Sequence, residues 1–235
     1  MHPLDNVIWE ALTTRQTQFA EGRADARRII PEVGALAGLR EPNVEAYRSL
    51  RELVSPGGTA RVWLSLLDRF ESAPGLELVT TFPGLQMVYE NGDAIGSTGQ
   101  AAALSIEELG PRDSPEMVEL ATLTRPGPFE RRTHELGKYI GIRLEGKLIA
   151  MAGERLKVPG YTEVSAVCTH PDFRGRGYAQ ALVAAVADGI YAQGETPILH
   201  VLGSNVGAIR VYRSVGFVLR RTLHLAVAFP PTLGD

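Results

Sequence analysis

The sequence predicts an α/β (α+β) fold, and three stretches predict it. Thr162 to Ala179 reads as a β-branched strand (Val164 to Thr169), a His170-Pro171-Asp172 turn, a glycine-rich loop and the start of an alanine-rich helix. Ile198 to Phe217 reads as a short apolar strand, a helix entered at Asn205, and a Gly216-Phe217 stop that opens another strand. Lys138–Leu144 and Lys147–Arg155 flank Glu145-Gly146, a tight hairpin signal.

Taken in order, the chain opens with a helix expected over Asn6–Ala20, a charged stretch, and a second helix over Val44–Leu53 that Pro56-Gly57-Gly58 ends. Three strands are expected at Ala60–Leu66, Leu76–Phe82 and Leu85–Tyr89. Asn91 to Gln100 is rich in turn formers and reads as a linker, which divides the chain into 1–98 and 99–235. Ala101–Leu109 is a strand. Asp113 with Glu116 mimics a capping box, and Pro115 suits a first turn, so a helix runs over Glu116–Leu123 until Arg125-Pro126-Gly127-Pro128 breaks it. Glu163–Thr169 is a strand and Tyr178–Ala192 a helix, with Leu182, Val183, Val186 and Ile190 on one face. Ile209, Tyr212 and Val215 follow Asn205 at helical spacing. Val218–Phe229 forms a hairpin or a bent strand closed by Pro230-Pro231.

Bulk numbers exclude several classes. At 235 residues, with 44% hydrophobic and 22% charged residues, the chain fits one large or two small globular domains. No apolar run approaches a membrane span, and the start lacks a basic segment followed by an apolar core. A net charge of −3 argues against non-specific nucleic-acid binding. The single cysteine, Cys168, excludes an internal disulfide and fits a reducing, cytoplasmic setting; it reads as a small core residue. The five histidines have no zinc-like spacing, so no metal is expected, and no Gly-x-Ser-x-Gly elbow is present.

A strand that feeds a glycine loop and then a helix is an anion site. The first-turn N–H groups have no intrahelical partners and the helix dipole favours negative charge. Gly175 and Gly177 allow close backbone approach, and Arg174 and Arg176 flank them. A P-loop needs Gly-Lys-Ser/Thr, where this chain has Gly177-Tyr178-Ala179; a dinucleotide loop needs a third glycine, where Gln180 stands. What remains is Arg174-x-x-Gly177-x-Ala179, followed by Asn205-x6-Tyr212-x3-Gly216-Phe217. This combination resembles the GNAT superfamily of acyl-CoA-dependent N-acyltransferases over roughly residues 101–229. The run from Ser165 to Ala179 looks most like its glycine N-acyltransferase-like branch. That branch often carries an N-terminal region resembling a degenerate GNAT half, and the same is expected of 1–98, which holds no motif of its own.

The resemblance implies a mixed, mostly antiparallel sheet whose two central parallel strands splay apart, flanked by helices and preceded by an N-terminal α+β extension. It implies acetyl-CoA as acyl donor and an unidentified primary amine as acceptor. Val167, Cys168 and Thr169 would pair through their backbones with the pantetheine arm and supply the oxyanion donor. Arg174, Gly175, Arg176, Gly177, Tyr178, Ala179 and Gln180 would hold the pyrophosphate, and Asn205 the pantetheine amide. Tyr212 matches the tyrosine that reaches the coenzyme sulfur as general acid. Two residues compete as general base. Glu163 resembles the strand glutamate of the histone-modifying branch, and alternation puts it on one face with Ser165, Val167 and Thr169. His200, five residues before Asn205, stands where ribosomal-protein acetyltransferases carry a glutamate, and histidine is a side chain suited to the same base chemistry. The loop after the first helix of the family domain would wall the acceptor, which makes Phe129, Arg131, Arg132 and His134 substrate-binding candidates; the arginines suit a carboxylate. A homodimer is compatible with the resemblance. Two other readings stay open: a non-catalytic acetyl-CoA-binding sensor, and an interaction domain on an inactive scaffold.

Overall fold

The computed structural model describes residues 2–54, 61–68, 76–90 and 105–229. Its strands in chain order are β1 (Ala20–Glu21), β2 (Ala26–Ile29), β3 (Ala37–Leu39), β4 (Val62–Leu66), β5 (Glu77–Tyr89), β6 (Ile106–Leu109), β7 (Tyr139–Leu144), β8 (Lys147–Val158), β9 (Tyr161–Thr169), β10 (Thr196–Leu202) and β11 (Phe217–Phe229). Its helices are α1 (Val7–Thr13), α2 (Val44–Val54), α3 (Ser114–Thr124), α4 (Tyr178–Ala192) and α5 (Val206–Val215). Strands β1-β2-β3 form a small antiparallel sheet, and the other eight form one sheet in the order β4-β11-β5-β10-β9-β8-β7-β6. Every pairing in the large sheet is antiparallel except β9 with β10.

Helices α4 and α5 cover one face, where Leu182, Val183, Ile209 and Tyr212 pack on Ala150, Val164, Leu199 and Val201. The other face takes α1, which packs on Leu156, Val158 and Ile198, and α3, whose Met117 and Leu120 meet Tyr139, Met151 and Cys168. The boundary expected at residue 98 lies outside the described residues. Strands from both sides of it share the large sheet, because β5 enters between β10 and β11. Among the described residues no helix is long and apolar enough to cross a membrane.

Several elements differ from expectation for identifiable reasons. The first helix stops at Thr13 rather than Ala20. The hydroxyls of Thr13 and Thr14 turn back onto the carbonyls of Trp9 (2.8 Å) and Glu10 (2.5 Å), and two adjacent β-branched residues propagate a helix poorly. The charged stretch after it holds β1 to β3. The two strands expected around Pro83-Gly84 are one, β5. Pro83 lies one residue beyond the last β10 pair, Leu202↔Gly84, so its missing N–H leaves that ladder intact. A Cβ on Gly84 would stand 2.9 Å from the Leu225 side chain, so any other residue there would force Leu225 to shift. The capping box at α3 does not form: Asp113 instead accepts from the Gly110 N–H (2.9 Å) and from Arg143 (2.6 Å). Of the hairpin and the bent strand expected after Gly216, β11 is the bent strand, with irregularities at Leu219/Arg221 and Val227/Ala228.

Candidate functional site

The parallel pair defines the site. Strands β9 and β10 pair only at Tyr161↔Thr196, Thr162↔Pro197 and Glu163↔Ile198, and among the described residues no ladder joins them beyond that point. Past Glu163 the facing edges part, leaving main-chain donors and acceptors for a third, strand-like partner. The expected splay is therefore present.

A bulge in β9 sharpens it. Met151 pairs with Cys168 and Gly153 with Ser165, so two β9 residues, Ala166 and Val167, oppose Ala152 alone. Ala166 adopts φ 52°, a left-handed conformation uncommon for a residue with a Cβ. The bulge breaks the expected alternation. Val164 and Val167 both pack toward α4, whereas Ala166 and Cys168 pack toward α3. Glu163 and Val167 thus do not share a face.

On the α4 side the glycine loop is built as the sequence predicts. Gly175 and Gly177 have φ of 77° and 80°, and a Cβ on either would meet nothing within 4 Å, so conformation rather than crowding demands glycine. Helix α4 starts at Gly177 with no side-chain cap and no acidic residue in its first turn. Its leading N–H groups are left for an anion. Arg176 lies over the Phe173 ring at 5.2 Å, and Arg174 reaches back to the Thr169 carbonyl at 3.4 Å. Asn205 caps α5 by accepting from the Ala208 N–H at 3.2 Å, which occupies its oxygen and leaves its amide N–H to donate. Among the described residues the buried Thr169 hydroxyl has no hydrogen-bond partner, as a groove wall that receives a polar ligand would have. These groups fit a nucleotide-linked thioester whose amide-bearing arm lies between the strands. Cys168, in the same wall, is a buried thiol pushed up to about 11 by burial, against a hydrogen bond with Thr124, so it is no thiolate nucleophile.

On the opposite face the two candidate bases meet in one hydrogen-bond chain. Glu163 is fully buried. Two β8 residues, Arg155 and Leu156, oppose it across a second bulge. Arg155 grips both its oxygens (2.9 and 2.7 Å), the Leu156 N–H donates at 3.3 Å, and His200 Nδ1 lies 2.7 Å from Oε1. Burial alone would raise the Glu163 pKa; the Arg155 charge and the hydrogen bonds from Arg155 and His200 outweigh it and hold the carboxyl well below the usual carboxylate range. With four donors around two oxygens it has no lone pair turned to a substrate. The two expected bases are thus hydrogen-bonded to each other, with the Glu163 carboxylate engaged by four donors.

The other ring nitrogen of His200 faces Gln86 Nε2 at 3.0 Å. Gln86 is itself fixed: its oxygen accepts from Arg220 (2.7 Å) and its amide donates to the Leu4 carbonyl (2.9 Å). Arg220 and Arg221 both reach Asp5, at 2.7 and 2.9 Å. Since Gln86 Nε2 can only donate, His200 Nε2 accepts and Nδ1–H donates to Glu163; the network assigns the tautomer. Arg220 is the unpaired residue of the β11 irregularity, which aims it at Gln86.

Tyr212, on α5, is buried against Phe217 at 6.3 Å. Burial, then the neighbouring Cys168 and Glu163, push its phenol up to about 12 against the opposing pull of Arg155, so it keeps its proton. Of the acceptor candidates, Phe129 sits edge-on to Tyr139 at 5.7 Å and lines the α3-side core. Arg132 forms a bidentate pair with Glu135 (2.6 and 2.8 Å), and His134 Nδ1 lies 3.2 Å from the Arg131 carbonyl. Main-chain and Thr133 bonds to Glu32 (3.0 Å) and Val33 (2.7 Å) hold this segment on the N-terminal region. Sequence reasoning missed Arg155, Gln86 and Arg220. Arg155 and Arg220 reach the site through bulges and Gln86 through β5, and neither route leaves a motif.

The comparisons agree with this geometry. The FR47-like protein family model matches residues 139–225. A solved structure from Novosphingobium aromaticivorans, assigned to the GNAT acetyltransferases, is 36% identical, covers 99% of this chain and 100% of its own, and has a TM-score of 0.89. A GCN5-related N-acetyltransferase from Kribbella flavida is 17% identical over 96% of each chain with a TM-score of 0.65, a likeness of fold. The curated N-alpha-acetyltransferase RimI of Mycobacterium tuberculosis is 37% identical over 82 residues, 34% of this chain; the chain spans about half (51%) of that relative's length.

Proposed function

This chain belongs to the GNAT family of acetyltransferases, and from that premise we propose that it moves an acetyl group from acetyl-CoA to a primary amine by direct transfer. The observation that carries the reading is the pair of parted strands, with an uncapped helix N-terminus at one end and a protonated buried phenol beside them. Residues 175–180 hold the pyrophosphate through N–H groups, with Arg174 and Arg176 adding charge. Main-chain groups of Val167, Cys168 and Thr169 pair with the pantetheine arm and donate to the developing oxyanion. Asn205 donates to a pantetheine amide.

His200 is the base. Glu163 holds its Nδ1–H, which leaves the Nε2 lone pair as the basic site, the logic of a base oriented by a third group. An acceptor amine reaching Nε2 takes the place of the Gln86 amide there. The amine nitrogen then attacks the thioester carbonyl, and Tyr212 protonates the departing coenzyme thiolate. The relative named for N-alpha-acetylation supports an α-amine as acceptor, and the run from Ser165 to Ala179 supports a place near the glycine N-acyltransferase-like branch.

Calorimetric titration with acetyl-CoA tests the donor site. Wild-type protein is expected to bind, and Gly177→Asp to bind at least about tenfold more weakly, because Asp must adopt φ near 80° and sets a carboxylate against phosphate. Equal binding by both proteins would sink the loop assignment. The occupied Nε2 of His200 is the one observation that favours the sensor reading. A His200→Gln variant separates the two. As an enzyme base its loss is expected to cost about 100-fold or more in turnover at neutral pH. Unchanged turnover would remove His200 from the mechanism.

A further inference from the structure

Gln86 is a fully buried side chain with all three of its polar groups in use. Its oxygen accepts from Arg220 at 2.7 Å, and its two amide N–H groups meet the Leu4 carbonyl at 2.9 Å and His200 Nε2 at 3.0 Å. A guanidinium only donates and a carbonyl only accepts, so these partners fix which way the amide points. Its place is fixed as well. Strand β5 pairs Gln86 directly opposite His200 on β10, and Asp5 holds Arg220 from behind at 2.7 Å.

Acetyl transfer through His200 requires this amide to give up one bond. The base takes a proton through Nε2, and the Gln86 N–H already occupies that nitrogen. A buried donor displaced without a new acceptor is costly. The incoming molecule removes the cost if it brings an oxygen of its own. Because the two nitrogens are hydrogen-bond neighbours, a molecule entering between them meets an acceptor and a donor side by side. An amine and a carbonyl on adjacent carbons match that pair. Room for the rest of such a molecule lies on the same face of the sheet. A cavity of about 370 Å³ is lined by Leu4, Val88, Tyr161, Leu219 and Arg220 among others. Two of those walls, Leu4 and Arg220, are the groups that hold Gln86.

Resting on the acetyl-transfer reading, we propose that Gln86 determines acceptor specificity: the acceptor is an α-amino carbonyl compound whose amine donates to His200 Nε2 while its oxygen takes the displaced Gln86 N–H. The exchange leaves no buried donor unmade. An amine without that oxygen reaches the base only by orphaning the amide, so Gln86 selects against it as well as for its competitor. The oxygen can belong to a carboxylate or to an amide, since the Gln86 N–H donates to either.

Gln86→Met tests this. It fills a similar volume and removes both N–H groups, while Leu4 and Arg220 line a cavity that water can enter. The full-length protein saturated with CoA is titrated calorimetrically with alaninamide, alanine and butan-2-amine, and turnover of each is followed with acetyl-CoA. The wild type is expected to bind one of the two carbonyl compounds about fivefold or more tightly than butan-2-amine, the worth of one hydrogen bond. In the variant that preference should vanish from both sides: the carbonyl compound loses its donor, and butan-2-amine no longer has an amide to displace. Differences in amine basicity cancel when the two preferences are compared. Alanine ahead of alaninamide assigns a free amino acid, and the reverse order an amide such as a chain N-terminus; either upholds the proposal. A wild type without preference, a preference that the variant retains, or a variant that binds all three amines more weakly by the same factor would each overturn it. A second readout uses the wild type alone. The Gln86 side-chain amide signals in a proton–nitrogen NMR spectrum should move when alaninamide or alanine saturates the CoA complex, and signals that stay in place would overturn the proposal. Selective binding without turnover of any amine would uphold this site and sink the acetyl-transfer reading. Turnover of all three amines without preference would do the reverse, so the two failures are distinguishable.

Discussion

Glu163→Gln is expected to destabilise the protein more than any other single polar change in the sheet. The substitution keeps shape and removes charge, so it leaves the Arg155 guanidinium, whose side chain is 15% exposed, without its counter-ion. Breaking a buried pair by removing one partner costs about 3–5 kcal/mol, because the surviving charge stays desolvated. That is a large share of the roughly 5–15 kcal/mol that holds a typical domain. The sign of the pH dependence follows from the carboxyl's direction of shift. Its folded pKa is depressed from the ordinary 4.5, so the pair stabilises the fold fully above the unfolded value and loses that contribution as pH falls below it. Chemical denaturation of wild type and variant across pH should therefore show a stability gap that is constant at neutral pH and narrows below about 4.5. A gap independent of pH would mean that the variant acts through packing alone. Turnover should fall as well, since a glutamine can donate to His200 and release the Nδ1–H tautomer that leaves Nε2 basic.

What could be read beforehand, and what could not, divides along the kind of information a sequence carries. Gly175, Gly177, Asn205 and Gly216 act through backbone conformation and capping within a few residues of themselves, so their spacing announces them, and they stand where expected. Strand and helix order between Lys138 and Phe229 was legible for the same reason. The acceptor side was not. Its geometry depends on three bulges: Arg155-Leu156 against Glu163, Ala166-Val167 against Ala152, and Arg220 in β11. A bulge shifts every later side chain to the other face, so the alternation that put Glu163 with Val167 failed at Ala166. The relation between Glu163 and His200 was hidden too. They read as rivals because sequence gives each a separate strand, whereas the short parallel register at Glu163↔Ile198 puts them 2.7 Å apart. Gln86 reaches His200 through β5, and Asp5, in the first turn, holds the Arg220 that fixes Gln86. Of the arginines expected at the acceptor, Arg132 has an ion-pair partner three residues on, Glu135, which the charge run alone does not announce.

Tyr212→Phe is expected to lower turnover on the order of 100-fold or more, the usual worth of a positioned general acid, with acetyl-CoA affinity nearly unchanged. The substitution preserves the packing and removes one hydroxyl. The ring is buried against Phe217 and within the α4-side core, and phenylalanine fills that volume without a cavity, so groove and loop should stand. What is lost is a buried phenolic hydroxyl whose proton is secure: at a pKa pushed up to about 12 it is protonated at every pH where the enzyme would be assayed. Wild-type turnover should accordingly show no alkaline decline from this group below that value, and any decline near neutrality belongs elsewhere. An acetyl donor with an aryl thiol, which leaves as a stable thiolate and needs no proton, should narrow the gap between wild type and variant, because the missing acid no longer matters. Turnover that survives while acetyl-CoA affinity falls would assign the hydroxyl to coenzyme binding. A gap that stays the same with both donors would show that the proton on the departing sulfur comes from another group, and would leave Tyr212 as the edge-on partner of Phe217 in the core.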